Sequence, residues 1–558
     1  MIRTSNIATH LSQERLAWIT RAMLACVILY GMYAYYGHHA YAAMDKWVFT
    51  GDARQYLPPL FEYYDITLMN PDDYLGGMTR DTYLPLGYKV LYKLASYCVD
   101  PILFSKFLPY LLMMVFVTIM SFASKDIAGF GGFAATLVIA LSTEIFFERM
   151  VGGLPRAFAY PITALSIWGM TSNRPVYLGV ATILAAAFYP AIAPVSGIAL
   201  VALMFCPSRI GGFDLSLSWE KRMVLVMVTA LSSYLVFVPM YYHITQYGGL
   251  IATHDISEQL PDHYSAPLSF IYSTTFYSLS LFSQTLFPFA LVTIVTSFCF
   301  ACFQYQAARR LLIVILILFI GHWLLALFSD AYFSQRIKQF YIPVILLAMV
   351  PFFIKNIIYC LQSVTLKPIA FKYNWLLSCA FVFLILYVKP NQILPSTGLT
   401  VSIPPQEQVI YNFIQTLPKE GLVAGWPGEK DHIVDNVPYL SKHSAFFTEG
   451  SHREFYVQPQ SLLRSRFKDL VDGYFATDPA SIIYLRDHWN VRYLIVDLRH
   501  FKDHPPAYKK ALNTMVERKW YSAQSSNKPF VILNYLSTAT IFKQGSIFIL
   551  DLSKIKVQ

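Results

Sequence analysis

One acidic residue in a long polar stretch stands out among the side chains of this 558-residue sequence that can do chemistry. Asp52 follows Gly51 in the run GDARQY, about fifteen residues after the first apolar segment ends. A carboxylate placed at a membrane surface can remove the proton from an acceptor hydroxyl or amine. The preceding glycine permits a close backbone approach. The same position also suits the N-cap of a helix over residues 53–64, and the two roles are compatible.

Two further acidic residues lie in the same polar stretch. Asp72 and Asp73 follow Asn70-Pro71, a pattern that favours a turn or a helix cap. The functional alternative is a contact to an acceptor or to a divalent metal ion. Both interpretations stay open on the sequence alone.

A second charged cluster follows a later apolar segment. It holds Glu144, Glu148, Arg149 and Arg156, and Arg156 begins an apolar helix directly after the run GGLP. Ionisable residues at the edge of a membrane span are functional candidates, and arginine suits bidentate contact to phosphate. The alternative for Arg156 is interfacial snorkelling or an ion pair with one of the two glutamates.

A basic pair farther along the chain stands where basic residues are not expected. Arg336 and Lys338 lie in the run SQRIKQFYIP, on the side of the membrane that the positive-inside rule assigns to the exterior. An anionic ligand such as a lipid phosphate explains that placement. A simple anchor near the lipid headgroups explains it as well.

Histidines do not form a recognisable metal site. His243, His254 and His263 are spaced without any metal-ligand signature. We therefore predict no metal ligands and no certain cofactor.

The elements that carry these residues are membrane spans. The sequence is 56% hydrophobic with a mean hydropathy of +0.45, and its 14% of charged residues compares with about 25% in an ordinary soluble domain. The net charge of +10 comes without any Lys/Arg-rich run, so topology and anionic lipid explain it better than nucleic acid. Runs long enough to span predict about eleven transmembrane helices, over residues 16–36, 102–123, 127–143, 155–171, 176–188, 191–205, 223–243, 286–303, 311–328, 340–358 and 374–389.

Basic residues in the short loops set the predicted orientation, because such residues stay on the cytoplasmic side. The N-terminus is then cytoplasmic. Residues 175–205 must form two short helices, broken near Tyr189-Pro190, if the later basic loops are to stay inside. The exterior receives residues 37–101, 144–154, 244–285, 329–339 and everything after residue 390.

The chain after residue 398 changes character, so we predict a membrane domain over residues 1–398 and a soluble extracytoplasmic domain over residues 399–558. Residues 400–558 hold 15 of the 33 acidic residues and 19 of the 43 basic ones. Strand-like and helix-like patterns alternate there, which is typical of a layered α/β domain. Predicted strands cover 421–426, 491–497 and 546–552, and predicted helices cover 406–417, 461–475, 479–489 and 507–520.

This arrangement resembles the GT-C superfamily of membrane glycosyltransferases. GDARQY looks like the acidic first-loop motif of the aminoarabinose-transferase and protein-mannosyltransferase type. GGLPRAFAYP at 152–161, SQRIKQFYIPVILL at 334–347 and the stretch from Tyr411 to Asp497 look like segments of uncharacterised GT-C-like proteins. The resemblance covers most of the chain in layout and only short motifs in residues.

The resemblance implies a polyprenyl-phosphate-linked sugar donor in the bacterial inner membrane and an acceptor that arrives from outside. Asp52 matches the acidic position of the family and would be the general base. Candidates for the lipid phosphate, chosen for their charge and predicted side, are Arg54, Arg149, Arg156, Arg336 and Lys338. Asp72, Asp73 and Glu148 are candidate acceptor or metal contacts. The sequence has Asp52-Ala53 where some members have adjacent Asp-Glu, so a metal-requiring mechanism is not supported.

Three other classes compete with this interpretation. A polysaccharide polymerase or ligase should have a large outside loop between late spans, and 329–339 is short. A transporter or flippase of lipid-linked glycans should show inverted repeats and charges near the midplane. A non-catalytic membrane protein would use its soluble domain to bind a partner.

Overall fold

The computed structural model describes most, but not all, of the chain. The described residues are 22, 25–65, 77, 80–81, 84–214, 218–248, 288–328, 331–364, 398–428, 433–451, 457–508, 510–526 and 528–556. The predicted span 374–389, the Asp72-Asp73 pair, His254 and His263 lie outside them.

By its internal contacts the chain divides into two units. The first, called the helical unit, comprises residues 1–44, 106–234 and 267–398. The second, called the mixed unit, comprises residues 45–105, 235–266 and 399–558. Most of the predicted first loop therefore groups with the C-terminal segment.

Apolar helices account for most of the described chain before residue 398. They are rich in Leu, Ile, Phe and Ala on all sides, as helices in lipid or in a large core are. They run over 25–44, Pro101–Ser142, Glu144–Glu148, Ala159–Thr171, Pro175–Phe188, Ala193–Phe205, Trp219–Gln246, Pro288–Gln304, Gln306–Phe328 and Ala331–Val364, with 3-10 turns at Pro155–Phe158 and Pro190–Ile192.

Three helices among the described residues are long and apolar enough to cross a membrane. They are Pro101–Ser142, Trp219–Gln246 and Gln339–Tyr359. A fourth crossing is added if Thr293–Gln304 and Gln306–Ile320, which meet at a 116° bend, form one span. The chain is thus an integral membrane protein. The predicted count of eleven spans stays a prediction, because several of the predicted segments form helices shorter than the roughly 20 residues of a straight crossing.

Two predicted breaks between apolar segments are confirmed. The long helix Pro101–Ser142 is kinked at Ala128 and Gly129, and Gly129 has φ +63°, a conformation that glycine adopts without steric cost. The helix Pro175–Phe188 ends at Tyr189, and Pro190 opens the short turn before the next helix. Proline lacks the N–H that would continue the preceding helix. Residues 175–205 therefore form two helices, as the loop charges required.

One predicted loop is wrong. Residues 329–339 were expected to form an outside loop, but Ala331–Val364 is one helix that includes most of that stretch. No glycine or proline interrupts residues 331–342, so the helical pattern of the following span continues backwards through them. Arg336 and Lys338 therefore lie on a helix.

Buried hydroxyl groups link three helices of the helical unit. Ser166 Oγ and Ser196 Oγ are 3.0 Å apart, and Ser196 Oγ is 2.6 Å from the hydroxyl of Tyr341. All three residues are buried. Small hydroxyl residues allow close helix approach in membranes and supply hydrogen bonds there.

Two small sheets organise the mixed unit. Strands β1 (Val48–Phe49) and β2 (Val401–Ser402) pair antiparallel, with Val48 opposite Ser402. Strands β3 (Leu422–Gly425), β4 (Val491–Asp497), β5 (Thr540–Gln544) and β6 (Ile547–Asp551) form a sheet in the order β3-β4-β6-β5. Only the β3–β4 pair is parallel. The helices of the unit are Ala53–Tyr56, Leu86–Ser96, Pro405–Thr416, Ile433–Leu440, Val457–Tyr474, Ala480–Trp489, Lys510–Ser525, Val531–Asn534 and Leu536–Ala539, with a 3-10 helix at Pro58–Tyr63.

The central strand β4 explains why the C-terminal prediction succeeded. Leu494, Val496 and Ile495 are all buried, as expected of a strand covered on both faces. The strands predicted at 421–426, 491–497 and 546–552 are confirmed within a residue or two. The helix predicted at 507–520 begins later, at Lys510. Strand β5 and the helix Ile433–Leu440 escaped prediction, since β5 is only partly buried and the helix is short and contains Pro438.

Candidate active site

Asp52 lies at the start of a helical turn in the mixed unit. Its backbone carbonyl accepts from the N–H groups of Gln55 (3.1 Å) and Tyr56 (3.3 Å), so it opens the helix Ala53–Tyr56. Among the described residues, the Asp52 carboxylate makes no capping bond to this helix. Asp52 is therefore the N-cap residue, as predicted, but its side chain does not cap the helix. The helix ends at Tyr56, and a 3-10 helix follows at Pro58 because prolines interrupt the α-helical pattern.

Strand pairing holds the residue just before Asp52. The N–H of Gly51 donates to Thr400 Oγ1 at 2.8 Å. Upstream, the N–H of Ile403 donates to the carbonyl of Trp47 at 3.0 Å, which extends the β1–β2 pairing. The approach to Asp52 is thus fixed by residues about 350 positions later in the sequence.

Arg54 points toward two polar residues of the C-terminal segment. Its Nη1 donates to Asn436 Oδ1 at 3.3 Å, and its Nη2 lies 3.9 Å from Glu449 Oε2. The side chains of Arg54 and Glu449 are only 12% and 18% exposed. Low exposure strengthens such contacts because water screens them less.

Buried polar groups hold the two partners of Arg54 in place. Asn436 is fully buried and donates through Nδ2 to the hydroxyl of Tyr411 at 3.2 Å. Burial raises the pKa of Tyr411 far above its ordinary value, so the hydroxyl keeps its proton. Neighbouring Asp435, also buried, accepts from the N–H of Glu449 at 2.6 Å. Asp435 and Asn436 were missed by sequence reasoning. Their one signal is an adjacent polar pair inside the apolar run IVDNVPYL.

Other charges of the first loop pair with one another. Arg80 forms an ion pair with Glu62, and its Nε lies 3.2 Å from Asp81 Oδ1. Farther on, Lys442 Nζ lies 2.5 Å from Asp100 Oδ2 and above the ring of Phe61. The Lys442–Asp100 contact fastens the loop to the C-terminal segment of the mixed unit.

The second charged cluster lies in the helical unit. Glu144 and Glu148 are exposed at the two ends of the short helix Glu144–Glu148, and Arg149 follows as its C-cap. With the Gln339 amide oxygen oriented toward it, Arg149 donates from Nη2 at 2.7 Å and from Nη1 at 3.0 Å. Because the Gln339 amide is neutral, this contact does not neutralise the guanidinium. The positive charge of Arg149 can then attract an anion.

Arg156 lies in the turn that opens the next helix. Gly152 and Gly153 have φ +89° and +60°, which reverses the chain before Pro155. Arg156 is partly buried within the 3-10 turn Pro155–Phe158. The backbone of Arg336 and Lys338 is helical, and their side chains lie outside the described part.

The predicted site residues thus fall into two groups. Asp52 and Arg54 lie in one turn of the mixed unit. Glu148 and Arg149 lie at the end of a short helix of the helical unit, and Arg156 lies in the 3-10 turn that follows it. Within the described residues no three His, Cys, Asp or Glu side chains are grouped so as to hold a metal ion.

Comparison with known proteins gives matches in structure alone. No family model and no curated protein sequence matches the chain. The oligosaccharyltransferase of Archaeoglobus fulgidus with zinc and sulfate matches with a TM-score of 0.48 and 11% identity, over 86% of this chain and 68% of that one. The same organism's oligosaccharyltransferase AglB, in complex with an inhibitory peptide and a dolichol-phosphate, matches with a TM-score of 0.46 and 10% identity, over 96% and 75%.

The arabinofuranosyltransferase AftD from Mycobacteria matches with a TM-score of 0.50 and 11% identity. The match covers 95% of this chain and 40% of AftD, so this chain spans less than half of that protein's length. These neighbours are GT-C glycosyltransferases. The AftD match supports the resemblance predicted from the sequence at the level of the fold alone.

Proposed function

We propose that this protein is a membrane glycosyltransferase that moves a sugar from a polyprenyl-phosphate-linked donor to an extracytoplasmic acceptor, with Asp52 as the general base. The acceptor is a cell-envelope glycan, a lipid or a protein. The observation that carries the proposal is a carboxylate, partly exposed, at the start of a turn whose neighbouring groups are fixed by the C-terminal segment. A general base needs such a fixed position, because proton transfer requires hydrogen-bond reach to the acceptor.

The proposed reaction inverts the anomeric carbon in one displacement. Asp52 takes the proton from an acceptor hydroxyl or amine as that group attacks the sugar, and the bond between the sugar and the lipid phosphate breaks. The electron pair leaves with the phosphate, whose charge needs stabilisation by fixed cations. Arg149, Arg156, Arg336 and Lys338 are the proposed phosphate ligands.

The contacts of Arg149 support this assignment. Its guanidinium meets the neutral Gln339 amide, as described above, so a phosphate can bind without displacing a carboxylate there. Glu148, exposed beside it, is a proposed contact for the acceptor, as are Asp72 and Asp73. We propose the bacterial inner membrane as the location, with a cytoplasmic N-terminus and an extracytoplasmic C-terminal segment.

Substitution of the proposed base is the direct test. We expect Asp52→Asn to reduce transfer by about 10²–10⁴-fold, because general-base catalysis contributes that much and the amide cannot accept the proton. Envelope glycans of cells that carry only the variant, compared by mass spectrometry with those of cells lacking the gene, measure the effect. Membrane fractionation verifies that the variant inserts normally.

Asp65→Asn is the matched control. Asp65 is an exposed carboxylate of the same loop, and its substitution removes the same charge thirteen residues away. Wild-type glycans are expected for this control. Wild-type glycans from Asp52→Asn cells would refute the proposed role of Asp52.

A further inference from the structure

The C-terminal segment of the mixed unit contacts the turn that bears Asp52 from both of its ends. We infer that this segment positions the base for reaction, and that Arg54 is the positioning residue through which it acts. The inference rests on the proposed function of Asp52. It gives the C-terminal segment a role in catalysis without requiring it to touch the substrate.

The first contact fixes the backbone immediately before Asp52. Thr400 Oγ1 accepts from the N–H of Gly51, and the register of β1 against β2 sets the direction in which the chain enters the turn. A Cβ at Gly51 would lie 3.3 Å from Thr400 Oγ1, so the two segments approach closely at this point. Little freedom is left to the backbone on that side.

The second contact fixes the turn immediately after Asp52. Arg54 reaches Asn436 and Glu449, and each of these is held by a further buried group. Asn436 is tied to Tyr411, and the backbone of Glu449 is tied to Asp435. The guanidinium therefore meets partners that are already in place, which reduces the conformational entropy lost on forming the contact.

Close packing adds a third contact beside Arg54. Gly450 lies so near the side chain of Gln55 that a Cβ there would come within 2.2 Å of Gln55 Nε2 and 2.4 Å of its Cγ. A larger residue at position 450 would require the Gln55 side chain to move. The residues on both sides of Asp52 are thus held by one segment of the chain.

The same contacts argue against Arg54 as a phosphate ligand. Its side chain is 12% exposed and already lies near the carboxylate of Glu449. A phosphate would have to displace that carboxylate, and breaking a contact between two largely buried charges is costly. Arg54 was a candidate phosphate ligand on the sequence, and we now assign it to positioning.

Hydrogen exchange of the full-length protein in lipid nanodiscs tests the inference. We expect Arg54→Leu to raise the exchange rate of backbone amides in residues 53–56 by about tenfold or more, because opening the turn becomes easier. Thr400→Val, which removes the hydroxyl at nearly constant shape, is expected to act in the same direction at Gly51. Arg492→Leu is the matched control, since it breaks the Arg492–Glu420 ion pair of the same unit. Unchanged exchange in residues 53–56 of Arg54→Leu would overturn the inference.

A binding measurement separates positioning from phosphate recognition. Polyprenyl monophosphate in the nanodisc is the probe, and its affinity is compared for wild type, Arg54→Leu and Arg156→Leu. Positioning predicts that Arg54→Leu retains wild-type affinity while envelope glycan transfer falls by about tenfold or more, as misplacement of a catalytic group by about 1 Å can cost up to about a hundredfold. A loss of affinity in Arg54→Leu would overturn the inference and make Arg54 a phosphate ligand.

The charge-reversed pair Arg54→Glu with Glu449→Arg is the rescue experiment. The double variant is expected to restore slow exchange in residues 53–56 relative to either single variant, because the ion pair is formed again. Exchange as fast in the double variant as in the single variants would count against the Arg54–Glu449 contact. These exchange results stand apart from the Asp52→Asn experiment, so failure of the proposed function and failure of this inference are distinguishable.

Discussion

The two units of this protein hold their segments together by different chemistry. The helical unit contains a neutral buried link, the hydroxyl chain of Ser166, Ser196 and Tyr341. In the mixed unit the links between the first loop and the C-terminal segment include a charged one, between Lys442 and Asp100. The stability contributed by a neutral hydrogen bond does not depend on pH, whereas the stability contributed by an ionisable group does.

One glycine from each unit has close neighbours of a different kind. A Cβ at Gly169, in the helical unit, would lie 2.8 Å from the backbone nitrogen of Leu178. A Cβ at Gly450, in the mixed unit, would meet the flexible side chain of Gln55. Substitution of Gly169 is therefore limited by backbone contact, whereas substitution of Gly450 is limited by a side chain that can move.

The largest expected effect is a pH response of the mixed unit through His443. Burial, together with repulsion from Lys419, lowers the pKa of His443 from 6.5 to about 4, and the carbonyl oxygens of Pro418 and Ser444 offset part of that shift. Between these pKa values the unfolded chain binds more protons than the folded one. Stability is therefore lost as the pH falls from 6.5 to about 4, by on the order of 3 kcal/mol.

Hydrogen exchange in strand β4, measured between pH 4 and pH 7 and corrected for intrinsic exchange, reports this loss. The variant His443→Gln should flatten the pH dependence, since glutamine does not titrate. An equal increase in exchange at low pH in the helix Ala193–Phe205 would contradict a pH response specific to the mixed unit.

The next largest effect is expected for Gly169→Ala. The new methyl group would press against the backbone of the neighbouring helix, and overpacking of this kind typically costs about 1–3 kcal/mol. Chemical unfolding in detergent, followed through exchange in the helix Pro175–Phe188, measures the loss. Gly197→Ala is the control, because its Cβ would lie at an ordinary 3.6 Å from Thr182 Cγ2. Equal stability of the two variants would contradict the close backbone contact.

The smallest effect is expected for Ser196→Ala. Removing this hydroxyl breaks its contacts to Ser166 and Tyr341, yet hydrogen bonds between membrane helices average only about 0.6 kcal/mol. Thermal unfolding at pH 5 and at pH 7 should show the same small loss. A loss that differed between the two pH values would place a titrating group in this chain of hydroxyls.

The sequence predicted the elements of the fold better than the surroundings of the candidate site. The break at Tyr189-Pro190 and the strand VRYLIVD were found because they depend on local patterns, a proline and a continuous apolar run. The helix Ile433–Leu440, which bears Asn436 and Asp435, was not found. Its polar residues are buried by groups distant in the chain, and no local period reports such burial.

The role of Arg54 also could not be inferred from the local sequence. Its residue type and its place near Asp52 suggested a phosphate ligand, since arginine suits phosphate and carboxylate equally well. Its neighbours Asn436 and Glu449 lie 382 and 395 positions away, which only the tertiary structure brings together.

The sequence by itself determined that this is a membrane protein with a polar C-terminal segment and an acidic first loop, because hydropathy and charge act through short stretches of chain. It also gave the GT-C resemblance, which the AftD match supports at the level of the fold alone. Only the tertiary structure decided that the first loop belongs with the C-terminal segment, and that Thr400, Asn436 and Glu449 meet the turn of Asp52. Pairing between distant segments depends on three-dimensional complementarity, and a single sequence does not encode that in any local pattern.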